Sequence, residues 1–259
     1  MTLSGQLAQV SDLSITEKDQ MFALMDRHYE NLSRTVFDAD LAEKEWVIRV
    51  VSRETGELCG FSTQMLLDAT VAGRPIKALF SGDTIIDRRY WGDQALTHIW
   101  GRLALQLMDQ YGPNDLYWFL ISQGYKTYRF LPVFFYEFYP RFGAPTPGWA
   151  WQTIDSLGRH KFAEHYDSAG GVVRSHRQQY RLRSGVADVT PARRQNPDVR
   201  FFIERNPGHT IGDELCCLAP LTRENFTPAA YRVIGSDEVI SAAKSPAPEL
   251  SSARSALWR

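Results

Sequence analysis

Eight consecutive residues, Arg88-Arg89-Tyr90-Trp91-Gly92-Asp93-Gln94-Ala95, hold the ingredients of an anion-binding turn. Behind them Leu96, Ile99, Trp100, Leu103, Leu107 and Tyr111 recur at three- and four-residue spacing, which predicts a helix. A loop that feeds a helix presents unpaired backbone N–H groups, and the helix dipole adds positive potential there. Gly92 permits close approach of the backbone to a ligand, and Arg88 and Arg89 bring charge for phosphate oxygens. Asp93 works against this, because its carboxylate either competes with an anion or caps the helix. A lone glycine before a helix is also a common cap, so the flanking elements have to decide.

The other chemically capable residues are less suggestive. His160 and His165 are five apart, not the four that share a helical face, so a metal site is not expected. His98 reads as structural or solvated. Cys59, Cys216 and Cys217 show no C-x-x-C spacing, and neighbours in a strand face opposite ways, so neither a disulfide framework nor a metal knuckle follows. There is no Gly-x-Ser-x-Gly and no nucleophilic cysteine motif. The segment Arg174 to Arg194 carries six arginines and His176. It reads as a solvated face, or as a surface for an anionic acceptor or the acidic helix of a carrier protein.

The chain has 259 residues, of which 44% are hydrophobic and 12% aromatic, with a net charge of -1. That balance excludes nucleic-acid or membrane binding driven by bulk charge. No apolar run approaches the roughly 18 residues needed to span a bilayer. The most apolar stretch, Phe130 to Phe142, is short and contains Pro132, Glu137 and Arg141. No signal peptide is visible, and a cytoplasmic location is expected.

The elements around the turn follow from periodicity. Thr16 to Leu32 reads as a helix capped by Thr16, and Ser33 to Glu45 holds a second short one. Trp46 to Val51, Leu58 to Leu67 and Ile76 to Ile86 read as three strands joined by turns at Arg53–Glu57 and Ala72–Pro75, an antiparallel meander. The long helix stops at Gly112-Pro113-Asn114. Leu116 to Ile121 is a continuous apolar run, as expected of a strand buried on both faces. An aromatic helix lies within Tyr125 to Tyr139, with Pro132 in its first turn or kinking it. After a boundary at 143–148, Trp151 to Arg183 reads as helical and polar, and Arg200 to Glu204 with Glu214 to Leu218 as a hairpin.

This order, with the sequence Arg89-Tyr90-Trp91-Gly92-Asp93-Gln94 after the third meander strand, resembles the GNAT (N-acetyltransferase) superfamily. Its loop of the form Gln/Arg-x-x-Gly-x-Gly/Ala binds the pyrophosphate of coenzyme A. Arg89 and Gly92 match; Gln94 stands at the last position, with Ala95 one residue late. Leu58-Cys59-Gly60-Phe61-Ser62 also looks like the family's second hairpin strand. The resemblance covers residues 7 to 143 and implies an α/β (α+β) fold: a mixed, mostly antiparallel central sheet flanked by helices, with a helical insertion before the last hairpin. It divides the chain into an acyl-CoA-binding core (1–143), an insertion that could take the acceptor (144–199), a closing hairpin (200–234) and a disordered tail (235–259).

The implied activity is acyl transfer from acyl-CoA or acetyl-CoA, or from an acyl carrier protein, to an amine of a small molecule or protein. No metal is implied. The CoA arm would run past Ile85 and Ile86 on the third strand, Arg88 to Ala95 at the turn, and Ser122 after the buried strand. Asp83 stands near the family's general base, although Ser81-Gly82-Asp83-Thr84 also reads as a bulge whose carboxylate bonds backbone. Tyr125, Tyr128 and Tyr136 are rivals for the acid that protonates the leaving thiolate. Ser122 stands where many members carry Asn. Phe130, Phe134, Phe135, Phe138 and Tyr139 form an apolar wall that is either core or a pocket for a longer chain, as in N-acyl amino acid or acyl-homoserine lactone synthases. Gln94 and Ser122 also leave open a non-catalytic domain that binds a ligand or partner.

Overall fold

Alternating burial along Trp46–Ser52 and its neighbours builds the expected meander, and the fold grows outward from it. The structure is a computed structural model that describes residues 2–112, 115–175 and 180–235. The strands are β1 (Leu3–Gln9), β2 (Tyr29–Glu30), β3 (Trp46–Ser52), β4 (Leu58–Val71), β5 (Arg74–Ile86), β6 (Leu116–Ser122), β7 (Tyr166–Asp167), β8 (Val172–Val173), β9 (Arg181–Leu182) and β10 (Glu214–Pro220). The helices are α1 (Ile15–Asp26), α2 (Arg34–Ala42), α3 (Ala95–Tyr111), α4 (Tyr125–Tyr128), α5 (Phe130–Phe134), α6 (Gly148–Phe162), α7 (Pro191–Arg194), α8 (Pro197–Arg205) and α9 (Pro228–Ile234).

Eight strands form one sheet in the order β1-β3-β4-β5-β6-β10-β8-β7, while β2 and β9 pair separately. Every neighbouring pair in the large sheet is antiparallel except β5 and β6, which run parallel from Lys77 opposite Leu116 to Ser81 opposite Leu120. Beyond those positions β5 stays with β4 as far as Ile86, and β6 stays with β10 as far as Ser122. The parallel pair therefore opens into a gap.

The two faces of the sheet carry different helices. Leu79, Trp118, Leu120 and Cys217 pack with α3, α8 and α9. On the other face Phe80, Phe119 and Cys216 pack with α6, and Val47, Phe61 and Ile85 with α1 and α2. Among the described residues no helix is long and apolar enough to cross a membrane.

Several local expectations are corrected. Ser14, not Thr16, caps α1, through a reciprocal capping box with Glu17, and the helix ends at Asp26. β1 has no strand signature of its own, with a glycine and no β-branched residue; pairing with β3 over its whole length makes it a strand. The aromatic helix is two short pieces, α4 and α5. The stretch after Phe162 turns into β7, β8 and β9, so Trp151 to Arg183 is helical only in its first third. Arg200 to Glu204 belongs to α8, which Asn196 caps and Pro197 begins, with Val199 and Phe202 three apart on its buried side. The closing element is thus a helix followed by β10. The tail from 236 and His176 lie outside the described residues.

Candidate functional site at the sheet opening

A cavity of about 710 Å³ passes through the gap between β5 and β6. Its walls include Gly82 to Ile86 on one strand and Ile121, Gln123 and Gly124 beside the other, and it draws on both faces of the sheet.

On the α3 side the walls are the turn Trp91-Gly92-Asp93-Gln94, Thr97, Lys126, the apolar residues Phe130, Val133 and Phe134, and Arg232 of α9. Gly92 has φ +101°, a conformation that side-chain-bearing residues rarely adopt, with open space where a Cβ would stand. The amides of Gly92, Gln94, Leu96 and Thr97 have no acceptor among the described residues, as the first turn of a helix requires. Asp93 takes the capping role: its Oδ1 accepts from the Ala95 amide at 2.7 Å. Lys126 sits 3.1 Å above the Trp91 ring centroid and donates to the Val186 carbonyl at 2.7 Å. Burial, then the charges of Arg88 and Arg193, bring its ammonium down to about 8. The α3 side is therefore rich in donors and short of anions.

The opposite side has the reverse character. β4 and β5 fall out of register between Ser62, opposite Thr84, and Gln64, opposite Ser81, so Thr63 faces both Gly82 and Asp83. A Cβ on Gly82 would come within 2.7 Å of Thr63 Oγ1, so the bulge needs glycine there. The bulge leaves Asp83 in the wall of the cavity, where Tyr180 donates a hydrogen bond to its Oδ1 at 3.3 Å. Burial first, and the Asp40 carboxylate next, push Asp83 up to about 7, against the pull of Lys44 and Tyr180. Glu214, at the start of β10, is pushed up to about 8 by burial and then by Asp83, Asp40 and Asp213. Both line the cavity. Asp40 is ion-paired at 2.7 Å with Lys44, whose side chain is fully buried.

A mostly antiparallel sheet that opens at its one parallel pair, with a bulged strand on one side and a glycine turn and helix on the other, decides the architecture. The fold is GNAT-like.

No family model and no curated protein matches the chain. Solved structures that resemble it include a GCN5-related N-acetyltransferase from Kribbella flavida (TM-score 0.39, 15% identity, covering 53% of this chain and 34% of that one). A probable N-acyltransferase from Enterococcus faecalis V583 superposes with a TM-score of 0.37 at 14% identity, over 49% of this chain and 31% of the other. Saccharomyces cerevisiae N-myristoyltransferase with bound myristoyl-CoA gives 0.33 at 12%, over 46% and 31%. The matched region is thus about half of this chain and about a third of each of those. Superpositions this loose add no weight; the open parallel pair carries the GNAT-like reading.

The structure sorts the expected site residues. Ile85, Ile86, Trp91, Gly92, Asp93, Gln94 and Asp83 line the cavity, whereas Arg88, Arg89, Tyr90, Ala95 and Ser122 do not. Arg88 is exposed next to the lining residue Trp91, 5.7 Å from its ring centroid. Arg89 is not a phosphate ligand here: Asp87 at 3.0 Å and Glu57 at 2.7 Å engage its guanidinium and hold it firmly protonated. Tyr90 packs on the core with its hydroxyl bonded to Cys59. Ser122 is fully buried, its Oγ without a partner, while the next residue, Gln123, lines the cavity with its Nε2 also unpartnered.

None of the three tyrosines chosen as acids reaches the cavity. Tyr125 is core, Tyr128 is wholly buried and donates to the Pro140 carbonyl at 3.0 Å, and Tyr136 is 59% exposed elsewhere. Tyr29 and Tyr180 line it instead, both with hydroxyl pKa values raised, Tyr29 chiefly by burial and Tyr180 chiefly by Asp83. The apolar wall divides: Phe130 and Phe134 face the cavity, whereas Phe135, Phe138 and Tyr139 are core. Gln123, Lys126, Tyr180 and Glu214 had no motif to announce them. Ser122, expected at the site after the buried strand, marked the right place one residue early.

Proposed function

We propose that this chain transfers an acyl group from a CoA thioester to an amine by direct attack. The observation that carries the reading is the cavity through the β5–β6 gap, with amide donors and Lys126 at one end and a carboxyl poised near neutrality at the other. The pyrophosphate would lie at the Gly92 and Gln94 amides beside Lys126, and the pantetheine arm would enter between the strands. β5 backbone groups freed from the parallel ladder beyond Ser81, together with Gln123 Nε2, would bind the thioester carbonyl. Asp83 removes a proton from the incoming ammonium. The amine nitrogen then forms the C–N bond and gives up its second proton to water as the C–S bond breaks and the electron pair leaves on sulfur. A thiol with a pKa of about 8.5 is a good enough leaving group that a water proton suffices. Tyr180 is a positioning residue, holding Asp83 in the gap.

Phe130 and Phe134, stacked 5.8 Å apart, stand with Val133 in the cavity wall and favour an acyl chain longer than acetyl. No feature of the cavity singles out an acyl carrier protein as donor. The segment 144–199 lends Lys161, Phe162, His165 and Tyr180 to the Asp83 side, which supports its role in acceptor binding.

The test is release of free CoA thiol from acyl-CoA in the presence of amines. Wild type is expected to turn over, and Asp83→Asn to lower kcat by about 10²- to 10⁴-fold. Thioester binding without any amine-dependent thiol release would favour the non-catalytic reading.

A further inference from the structure

We infer that the chamber on the Asp83 side accepts an amine carrying a second cationic group, a diamine or a guanidino-amine, with the reacting nitrogen at Asp83 and the other at Glu214. This rests on the acyl-transfer reading above. The argument begins with charge. Among the described residues the lysines and the arginine around the chamber already have carboxylates: Lys44 holds Asp40, Lys161 holds Glu43, and Arg174 holds Asp167 and Asp213. Among the described residues Asp83 and Glu214 form no ion pair with a cation, and Asp83 disfavours the ionised form of Glu214. Asp83 alone is sufficient to bind and deprotonate one ammonium. Glu214, on the same wall, then has no role in the transfer and no cationic partner among the described residues.

His28 gives an independent sign of what the chamber takes. It is 4% exposed and lines the cavity, and its Nδ1 lies 3.0 Å from the Leu24 carbonyl. A carbonyl only accepts, so Nδ1 carries a hydrogen, and in the neutral ring Nε2 is then an acceptor. Two carboxyls beside an imidazole that can accept at Nε2 suit a ligand made of N–H donors. Tyr29 and Tyr180, edge to face at 5.3 Å, and Phe80 with Phe162 at 5.8 Å supply apolar walls for a short methylene spacer. A carboxylate next to the reacting amine would meet Asp83 and Glu214 unscreened, which disfavours simple α-amino acids and with them the N-acyl amino acid alternative.

Binding of a dication would favour the ionised forms of both carboxyls, so it should expel protons below pH 8. The other titratable groups around them are Asp40 and Lys44 from α2 and its end, His28 and Tyr29 at β2, Lys161 and His165 from α6 and beyond, Arg174 after β8, Tyr180 before β9, and Asp213 before β10. The two tyrosines stay protonated through this range, and Asp40 and Asp213 keep their cations.

Calorimetric titration at pH 7.5, without thioester, decides the matter. The probes are the diamines from 1,3-diaminopropane to 1,6-diaminohexane and the monoamines of matching length. The expected result is a preference of at least about tenfold for one diamine over its monoamine, with protons released to buffer. Glu214→Gln should reduce that preference to about twofold or less. Equal affinities in the wild type, no binding of either class, or a preference that survives Glu214→Gln would overturn the inference. The wild-type comparison stands even if the variant misfolds. Acetyl-CoA is titrated separately: its failure to bind would count against the acyl-transfer reading, whereas the amine series tests the second cation alone.

Discussion

Asp83 and Lys126 sit at opposite ends of one cavity, and their shifted ionisations predict opposite pH dependences. Asp83, raised to about 7, becomes a competent base only above that value, so kcat should rise through about pH 7. Lys126, lowered to about 8, loses its charge above that value, so the KM for a CoA thioester should increase from pH 7.5 to 9. Steady-state kinetics with Lys126→Ala should abolish the second effect while leaving the first. The same carboxyls tie stability to pH. Asp83 and Glu214 hold protons in the folded state at pH values where the unfolded chain has lost them, so stability should fall as pH rises from about 4 through 8. After discounting for the wet side of the cavity, the cost is on the order of 1–2 kcal/mol per group at high pH. Glu214→Gln should therefore melt higher than wild type at pH 9 by a few degrees, about 2–4 °C per kcal/mol, and equally at pH 4. A variant no more stable than wild type at pH 9 would show that Glu214 is not desolvated.

At the scale of elements, the β5 bulge and the short helix α5 set what the cavity accepts. Gly82→Val would drive a side chain into Thr63 and the buried Lys44 stem, realigning the bulge that aims Asp83. It should lower kcat at least about tenfold while the turn at Gly92, some distance along the strand, still binds CoA. Phe134→Trp adds bulk to the α5 wall and should move donor preference toward acetyl-CoA, as measured by kcat/KM across chain lengths. Much of this frame was legible in the sequence because its signals are local. The meander showed itself by turns and alternation, α3 by its stripe, and the anion turn by Gly92 before that stripe. The bulge expected at Ser81-Gly82-Asp83-Thr84 is present, and it leaves the Asp83 carboxylate accepting from Tyr180 in the cavity wall instead of from backbone. Other elements depend on distant partners. β1 is a strand because β3 pairs with it, and α8 showed three apolar residues in a row that mimic a strand until the Asn196-Pro197 cap is weighed. The acid tyrosines failed for the same reason. Where α4 ends and which way Tyr128 points are set by packing on Phe202 and by the Pro140 carbonyl.

In the whole molecule the sheet opens at its one parallel pair, and the opening separates two environments. Amide donors, Lys126 and an apolar wall lie toward α3 and α5, and the carboxyls of Asp83 and Glu214 lie toward α2, α6 and β10. Tyr180 and Glu214 come from segments about 100 residues and more beyond Asp83, which is why no motif could announce them. The most direct test is a crystal structure with a thioether analogue of an acyl-CoA, which cannot transfer its acyl group. The expected result places the analogue's sulfur between Gly82–Ile86 and Ile121–Gly124, its pyrophosphate at the Gly92 and Gln94 amides beside Lys126, and its acyl carbonyl facing Asp83. An analogue bound outside the β5–β6 gap, or with its phosphates away from the Gly92 turn, would contradict it.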